Sequence, residues 1–122
     1  MTATLGYARV STTGQDLDAQ RAALDAAGVD TQRLFTDQHS RSAKTRRPGL
    51  AAMLAYARPG DTVVAAAIDR LGRSVAEVTR TIADLDERRI TLRALREGFD
   101  TGTPTGRAVA AIMAALAELE ID

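Results

Sequence analysis

Cysteine is absent from this chain, and histidine occurs once, at His39. Disulfides, thiolate nucleophiles, cysteine-based metal sites and multi-histidine clusters are thereby excluded. Any chemistry has to come from hydroxyls, carboxylates and guanidiniums. No run approaches the roughly 20 apolar residues that cross a bilayer, and the first residues show no basic segment leading into an apolar run and a cleavage site. A cytoplasmic protein without a membrane partner is expected. An excess of either charge is also missing, because 16 basic residues balance 16 acidic ones. Lysine is nearly absent, Lys44 being the one basic residue that is not arginine. That skew has two readings. One is coding bias in a chain also rich in alanine; the other is a site for a phosphoryl group, whose oxygens match the planar guanidinium fork. Position separates the two better than number does.

What is present suffices for one core. A chain of 122 residues, 45% of them hydrophobic, suits a single domain and is short for two. Thr4 to Val10 alternates small and apolar residues and reads as a buried strand, followed by a polar turn from Ser11 to Gln15. Leu17, Leu24 and the alanines between them recur at helical spacing up to Ala27-Gly28, where glycine ends the helix. Arg33 to Thr36 reads as a short strand and Asp37 to Arg47 as a polar loop. Pro48 then opens a helix through Leu50, Met53, Leu54 and Ala57, broken by Pro59-Gly60-Asp61.

Thr62 to Ile68 is a continuous apolar run of strand length, the pattern of a parallel strand covered on both faces. Ser74 and Glu77 form a capping box, and Val75, Val78, Ile82 and Leu85 then mark an amphipathic helix ending at Arg88-Arg89. Ile90 to Leu95 gives a further strand, Gly98 to Gly102 a loop, and Thr103-Pro104 opens a last helix. Strands alternating with helices predict an α/β fold with a mostly parallel sheet of about four to five strands and helices on both faces. In the last helix, no polar side chain occurs between Arg107 and Glu118. Either this helix is central to the domain, or its second face packs on another copy through Val109, Ile112, Met113 and Leu116. The helical pattern is still running at Asp122, which reads as a truncated helix.

In a parallel sheet, ligands gather beyond the carboxyl ends of the strands. Ser11 occupies that place after the first strand, and Asp69, Arg70 and Arg73 occupy it after the apolar strand. Each has an ordinary structural alternative. Ser-Thr-Thr before a helix is capping vocabulary, and Asp69 with Arg70 is compatible with a surface ion pair.

The combination of segments carries more weight. G-Y-A-R-V-S at Gly6 to Ser11, Asp37 after a short Phe-containing strand, R-P-G-L at Arg47 to Leu50, G-D-T-V-V at Gly60 to Val64, D-R-L-G-R-S at Asp69 to Ser74 and A-L-A-E-L-E at Ala115 to Glu120 occur in this order. With them the chain resembles, from about Leu5 to Glu120, the catalytic domain of the resolvase/invertase family of serine site-specific recombinases. The resemblance implies a catalytic core over residues 1–102 and the start of a long oligomerisation helix over 103–122. It implies that Ser11 attacks a DNA phosphate to give a 5′-phosphoserine link and a free 3′-hydroxyl, with Arg9, Arg47, Arg70 and Arg73 around the phosphate. Asp69 would protonate the departing 3′-oxygen or hold an arginine, and Asp37 would orient its neighbours. Tyr7, Gln15 and Gln20 fall at positions that shape the family's site.

Several guanidiniums around one phosphate would do a task often given to a metal ion, so neither metal nor cofactor is expected. A basic neighbourhood would also ease loss of the serine proton, and no general base is evident. The implied partners are double-stranded DNA and further copies of the chain, as a homodimer and homotetramer. Ala67 replaces a residue that is commonly basic in the family, and Arg41 stands where glycine is usual. Arg41, Lys44, Arg46 and Arg47 make a basic run that reads either as a solvated loop or as a contact to DNA phosphates, with His39 nearby as a solvent-exposed or DNA-facing side chain. The DNA-reading domain that follows in the family is absent from this sequence, so the chain by itself is expected to be inactive and not to find a recombination site. Two other readings compete: a non-catalytic, recombinase-derived assembly or regulatory module, and an unrelated α/β phosphohydrolase or nucleotide-binding domain. The second would need a phosphate loop or metal-binding carboxylates, and G-x-x-x-x-G-K is absent.

Overall fold

A computed structural model describes residues 2–10, 14–38, 48–72 and 74–119. Five strands form one sheet: β1 (Thr4–Val10), β2 (Leu34–Gln38), β3 (Thr62–Ala65), β4 (Thr91–Ala94) and β5 (Phe99–Asp100), in the order β2-β1-β3-β4-β5. The first four run parallel, and β5 pairs antiparallel with β4. Four helices cover the sheet: α1 (Gly14–Ala26), α2 (Pro48–Tyr56), α3 (Val75–Glu87) and α4 (Pro104–Leu119).

The strand pattern dictates where the helices lie, because successive side chains point to opposite faces. Leu5 and Tyr7 of β1, with Val63 and Ala65 of β3, face one side, where Leu50 and Met53 of α2, Val78, Ile82 and Leu85 of α3, and Ala110 of α4 cover them. Ala8 and Val64 face the other side and meet Leu24 of α1 and Val29. The uninterrupted apolar run of β3 is therefore buried on both faces, as expected of a central parallel strand. Arg88, just past α3, donates to the carbonyls of Leu54 (2.7 Å) and Ala57 (3.2 Å), which satisfies the C-terminal end of α2.

Several boundaries differ from the sequence pattern. Helix α1 already includes Gly14 and Gln15. Arg33 belongs to a 3-10 turn over Thr31–Arg33 that Asp30 caps through Gln32 N (3.0 Å), so β2 starts one residue later. It then runs on to Gln38, because Asp37 and Gln38 keep register with Arg9 and Val10 of β1. Asp37 is thus a strand residue and not part of a loop. Strand β3 stops at Ala65, and Ile68–Leu71 forms a 3-10 turn that contains Asp69 and Arg70. The expected loop at Gly98–Gly102 holds β5, with Gly98 at φ 64 supplying the turn back onto β4.

Helix α4 reaches the sheet at Gly106, where a Cβ would lie 1.7 Å from the carbonyl oxygen of Asp100. Beyond it Ala110 is buried, and Val109 and Met113 pack partly against the core. Ile112 and Leu116 point away from it and are 60% and 45% exposed. Two of the four residues expected at an interface between copies are therefore partly occupied within the chain, and two are open.

Candidate active site

Strands β1 and β3 are neighbours, and the chain leaves β1 toward β2 on one side and β3 toward β4 on the other. Their carboxyl ends define the crevice in which parallel sheets place ligands. Arg9, next to last in β1, spans it. Its Nη2 donates to the carbonyl of Asp69 (3.1 Å) and its Nη1 to that of Gly72 (3.4 Å), while its own carbonyl accepts from Gln20 Nε2 (2.9 Å). Gln20 is buried in α1. Arg9 and Asp69 are 60 residues apart in the chain, and this guanidinium joins the G-Y-A-R-V-S and D-R-L-G-R-S segments.

Asp37 has a different surrounding. It is 6% exposed, at the end of β2, and its carboxylate accepts from Tyr7 Oη (2.8 Å), Gly49 N (2.7 Å) and Leu50 N (2.9 Å). The two amides belong to the first turn of α2, so a carboxylate from a neighbouring strand does the work of an N-cap and lies at the positive end of the helix dipole. The approach is close enough to require glycine: a Cβ on Gly49 would stand 2.2 Å from the carbonyl oxygen of Thr36. The R-P-G-L motif thus has a geometric cause, with Pro48 beginning the helix and Gly49 allowing it to touch β2. Tyr7, which makes the first of these bonds, is wholly buried.

Asp69 sits in the turn after β3, with its side chain 55% exposed and Arg70 Nε 3.9 Å from its Oδ1. Its Oδ2 accepts from Arg96 Nη2 at 3.0 Å. Arg96 also pairs with Glu97, whose Oε1 accepts the amide of Ile68 (3.0 Å) at the start of the same turn. Hydrogen bonds first to Asp69 and then to Glu97 push the proton affinity of the Arg96 guanidinium above its ordinary value. The sequence pattern gives no notice of Arg96 or Glu97. The available signal is their place just past β4, at the same end of the sheet as Asp69.

Arg9, Asp69 and Arg70 are thus together at one end of the sheet, with Gln20 behind Arg9, and Tyr7 and Asp37 bracing α2. Ser11, Arg47 and Arg73 lie outside the described residues, as do His39, Arg41, Lys44 and Arg46, and the side chain of Gln15. Among the described residues, no group of three or more His, Cys, Asp or Glu is disposed to hold a metal ion, and no helix is long and apolar enough to cross a membrane.

The family model described as "Resolvase, N terminal domain" matches residues 4–122. The chain belongs to this family. DNA-invertase hin of Salmonella typhimurium is 44% identical over 118 residues, covering 97% of this chain and 60% of the invertase. Serine recombinase gin of Escherichia phage Mu is 43% identical over 116 residues, covering 95% of this chain and 58% of its own. The chain therefore spans about three fifths of the length of these curated relatives. Among solved structures, the N-terminal catalytic domain of TP901-1 integrase superposes with a TM-score of 0.74 at 29% identity, covering 98% of this chain and 96% of that one. The resolvase fold agrees with the α/β architecture expected from the alternation of strands and helices.

Proposed function

We propose that the chain carries the chemistry of site-specific DNA recombination, in which strands are cut, exchanged and rejoined through a phosphoserine formed on Ser11. The observation that supports this reading most is the Arg9 bridge. It holds the end of β1, from which the chain continues to Ser11, against the turn that bears Asp69 and Arg70. The Oγ–phosphorus bond forms as the bond from phosphorus to the 3′-oxygen breaks. Asp69, having taken up a proton from solvent, delivers it to the departing 3′-oxygen, and the serine proton passes to solvent. Arg9, Arg47, Arg70 and Arg73 offset the charge that grows on the non-bridging oxygens. The phosphoserine ester keeps the bond energy, so attack by another 3′-hydroxyl rejoins DNA without ATP or a metal ion.

Cutting two duplexes takes four such serines, which requires four copies of the chain. The open apolar side of α4 at Ile112 and Leu116 suits that assembly. The same two residues are the observation that favours a non-catalytic assembly module. One experiment separates the readings. The chain is incubated with a pool of short random-sequence duplexes, denatured, and analysed by mass spectrometry and by sequencing of the attached DNA. A DNA 5′-phosphate on Ser11, lost in Ser11→Ala and insensitive to chelator, is expected for the recombinase. A chain that self-associates but never becomes attached to DNA, even when joined to a DNA-binding domain, is the outcome for the assembly module.

A further inference from the structure

Asp69 follows β3, which lies between β1 and β4, and its two polar parts have partners from different strands. The backbone carbonyl is taken by Arg9 of β1 at 3.1 Å, whereas the carboxylate is taken by Arg96, just past β4, at 3.0 Å. Arg96 is itself anchored. Its backbone N–H continues the sheet ladder to the carbonyl of Ala66 (2.9 Å), and Glu97 ties its guanidinium to the amide that begins the turn of Asp69. A carboxylate that serves the oxygen leaving a phosphate on Ser11 has to act on the β1 side. In this structure its Oδ2 is bonded to Arg96, which follows β4, while Oδ1 lies 3.9 Å from Arg70 Nε.

We propose that Arg96 is a positioning residue that holds Asp69 in a withdrawn state, so that the acid has to leave Arg96 before it can serve the departing 3′-oxygen. This inference rests on the reading of Ser11 and Asp69 given above. Its size follows from exposure. The side chains of Arg96 and Asp69 are 60% and 55% exposed, and an ion pair of that kind restrains a step by no more than about fivefold. The contact is therefore a brake on cleavage and not a lock. Glu97 has the secondary task of keeping the guanidinium in place.

The test measures the single-turnover rate of serine–DNA attachment at saturating duplex, at the phosphate located by sequencing the adducts. Arg96→Ala and Arg96→Gln are expected to react about two- to fivefold faster than the unaltered chain, and Arg96→Lys at the unaltered rate, because it keeps a cation beside Asp69. A second substrate carries sulfur in place of the 3′-bridging oxygen. Sulfur leaves without needing a proton, so the gain on losing Arg96 should vanish there, which a general loosening of the fold would not produce. The ratio of variant to unaltered rate should also fall toward one as salt screens the exposed pair. An Arg96→Ala rate that is unchanged or slower on ordinary DNA, or equally raised on both substrates, overturns the proposal. Failure of the unaltered chain to attach to DNA even when joined to a DNA-binding domain instead overturns the functional reading itself.

Discussion

The Asp37 carboxylate accepts the backbone N–H of Gly49 at 2.7 Å, joining the end of β2 to the first turn of α2. Leu50 N and the Tyr7 hydroxyl converge on the same carboxylate. Asp37→Ala removes the acceptor that these three donors share, in a place that admits little water. A loss of about 3–5 kcal/mol is expected. Tyr7→Phe removes one hydrogen bond to a charged group and should cost about 1.5–3 kcal/mol. Urea unfolding of the two single variants and the double variant checks this. Because the residues share one network, the double variant should cost less than the sum of the single ones.

Two glycines separate contact from conformation. Gly49→Ala would place a methyl group 2.2 Å from the Thr36 carbonyl oxygen, so helix and strand must part. Destabilisation of about 3 kcal/mol or more is expected. Gly28 stands at φ 93, and a methyl group added there would meet nothing within 4 Å, so Gly28→Ala incurs only the left-handed backbone penalty, about 1–2 kcal/mol. Thermal melts that rank the two variants the other way would contradict the packing described for α2.

How much of the fold and the site is legible in the chain follows from the range over which each signal acts. The capping Ser74 before α3, whose Oγ accepts from Glu77 N (3.2 Å), and the Pro48 helix start are local and stand where their residues indicate, whereas the apolar run Thr62–Ile68 marks the start of β3 but not its end at Ala65, because Ile68 already belongs to a 3-10 turn. The meeting of Arg9 with the Asp69 turn is implied by family resemblance and becomes geometry because β1 and β3 are adjacent. Strand β5 escapes the sequence pattern because two residues carry no period. Arg96 escapes it because a contact across 27 residues leaves no local trace. Asp37 reads as loop because its strand character comes from pairing with Arg9, which only the sheet register reveals.

Self-association should depend on Ile112 and Leu116. Both are exposed, so changing both to Glu should alter the stability of the monomer by only about 0.5 kcal/mol per site while removing an apolar surface. Sedimentation across a concentration series is expected to show mass rising with concentration for the unaltered chain and a monomer throughout for the double variant. Equal behaviour of the two would place the contact between copies elsewhere.

The role of Asp69 is separable from that of the arginines by the leaving atom. With ordinary DNA, Asp69→Asn should slow attachment to Ser11 by about 10²–10⁴-fold, the range for loss of a general acid. With sulfur at the 3′-bridging position, the leaving group is a thiolate, which departs without being protonated because thiols are far stronger acids than alcohols, and most of the loss should be recovered. Loss of the same size on both substrates would assign Asp69 to holding an arginine.

The most direct measurement is the identity of the atom joined to DNA. After incubation with duplex and denaturation, proteolysis and mass spectrometry should find a DNA 5′-phosphate on Ser11, a free 3′-hydroxyl on the other side of the break, and no adduct in Ser11→Ala. Attachment through another residue, a 3′-phosphate linkage, or an adduct that survives Ser11→Ala would contradict the account.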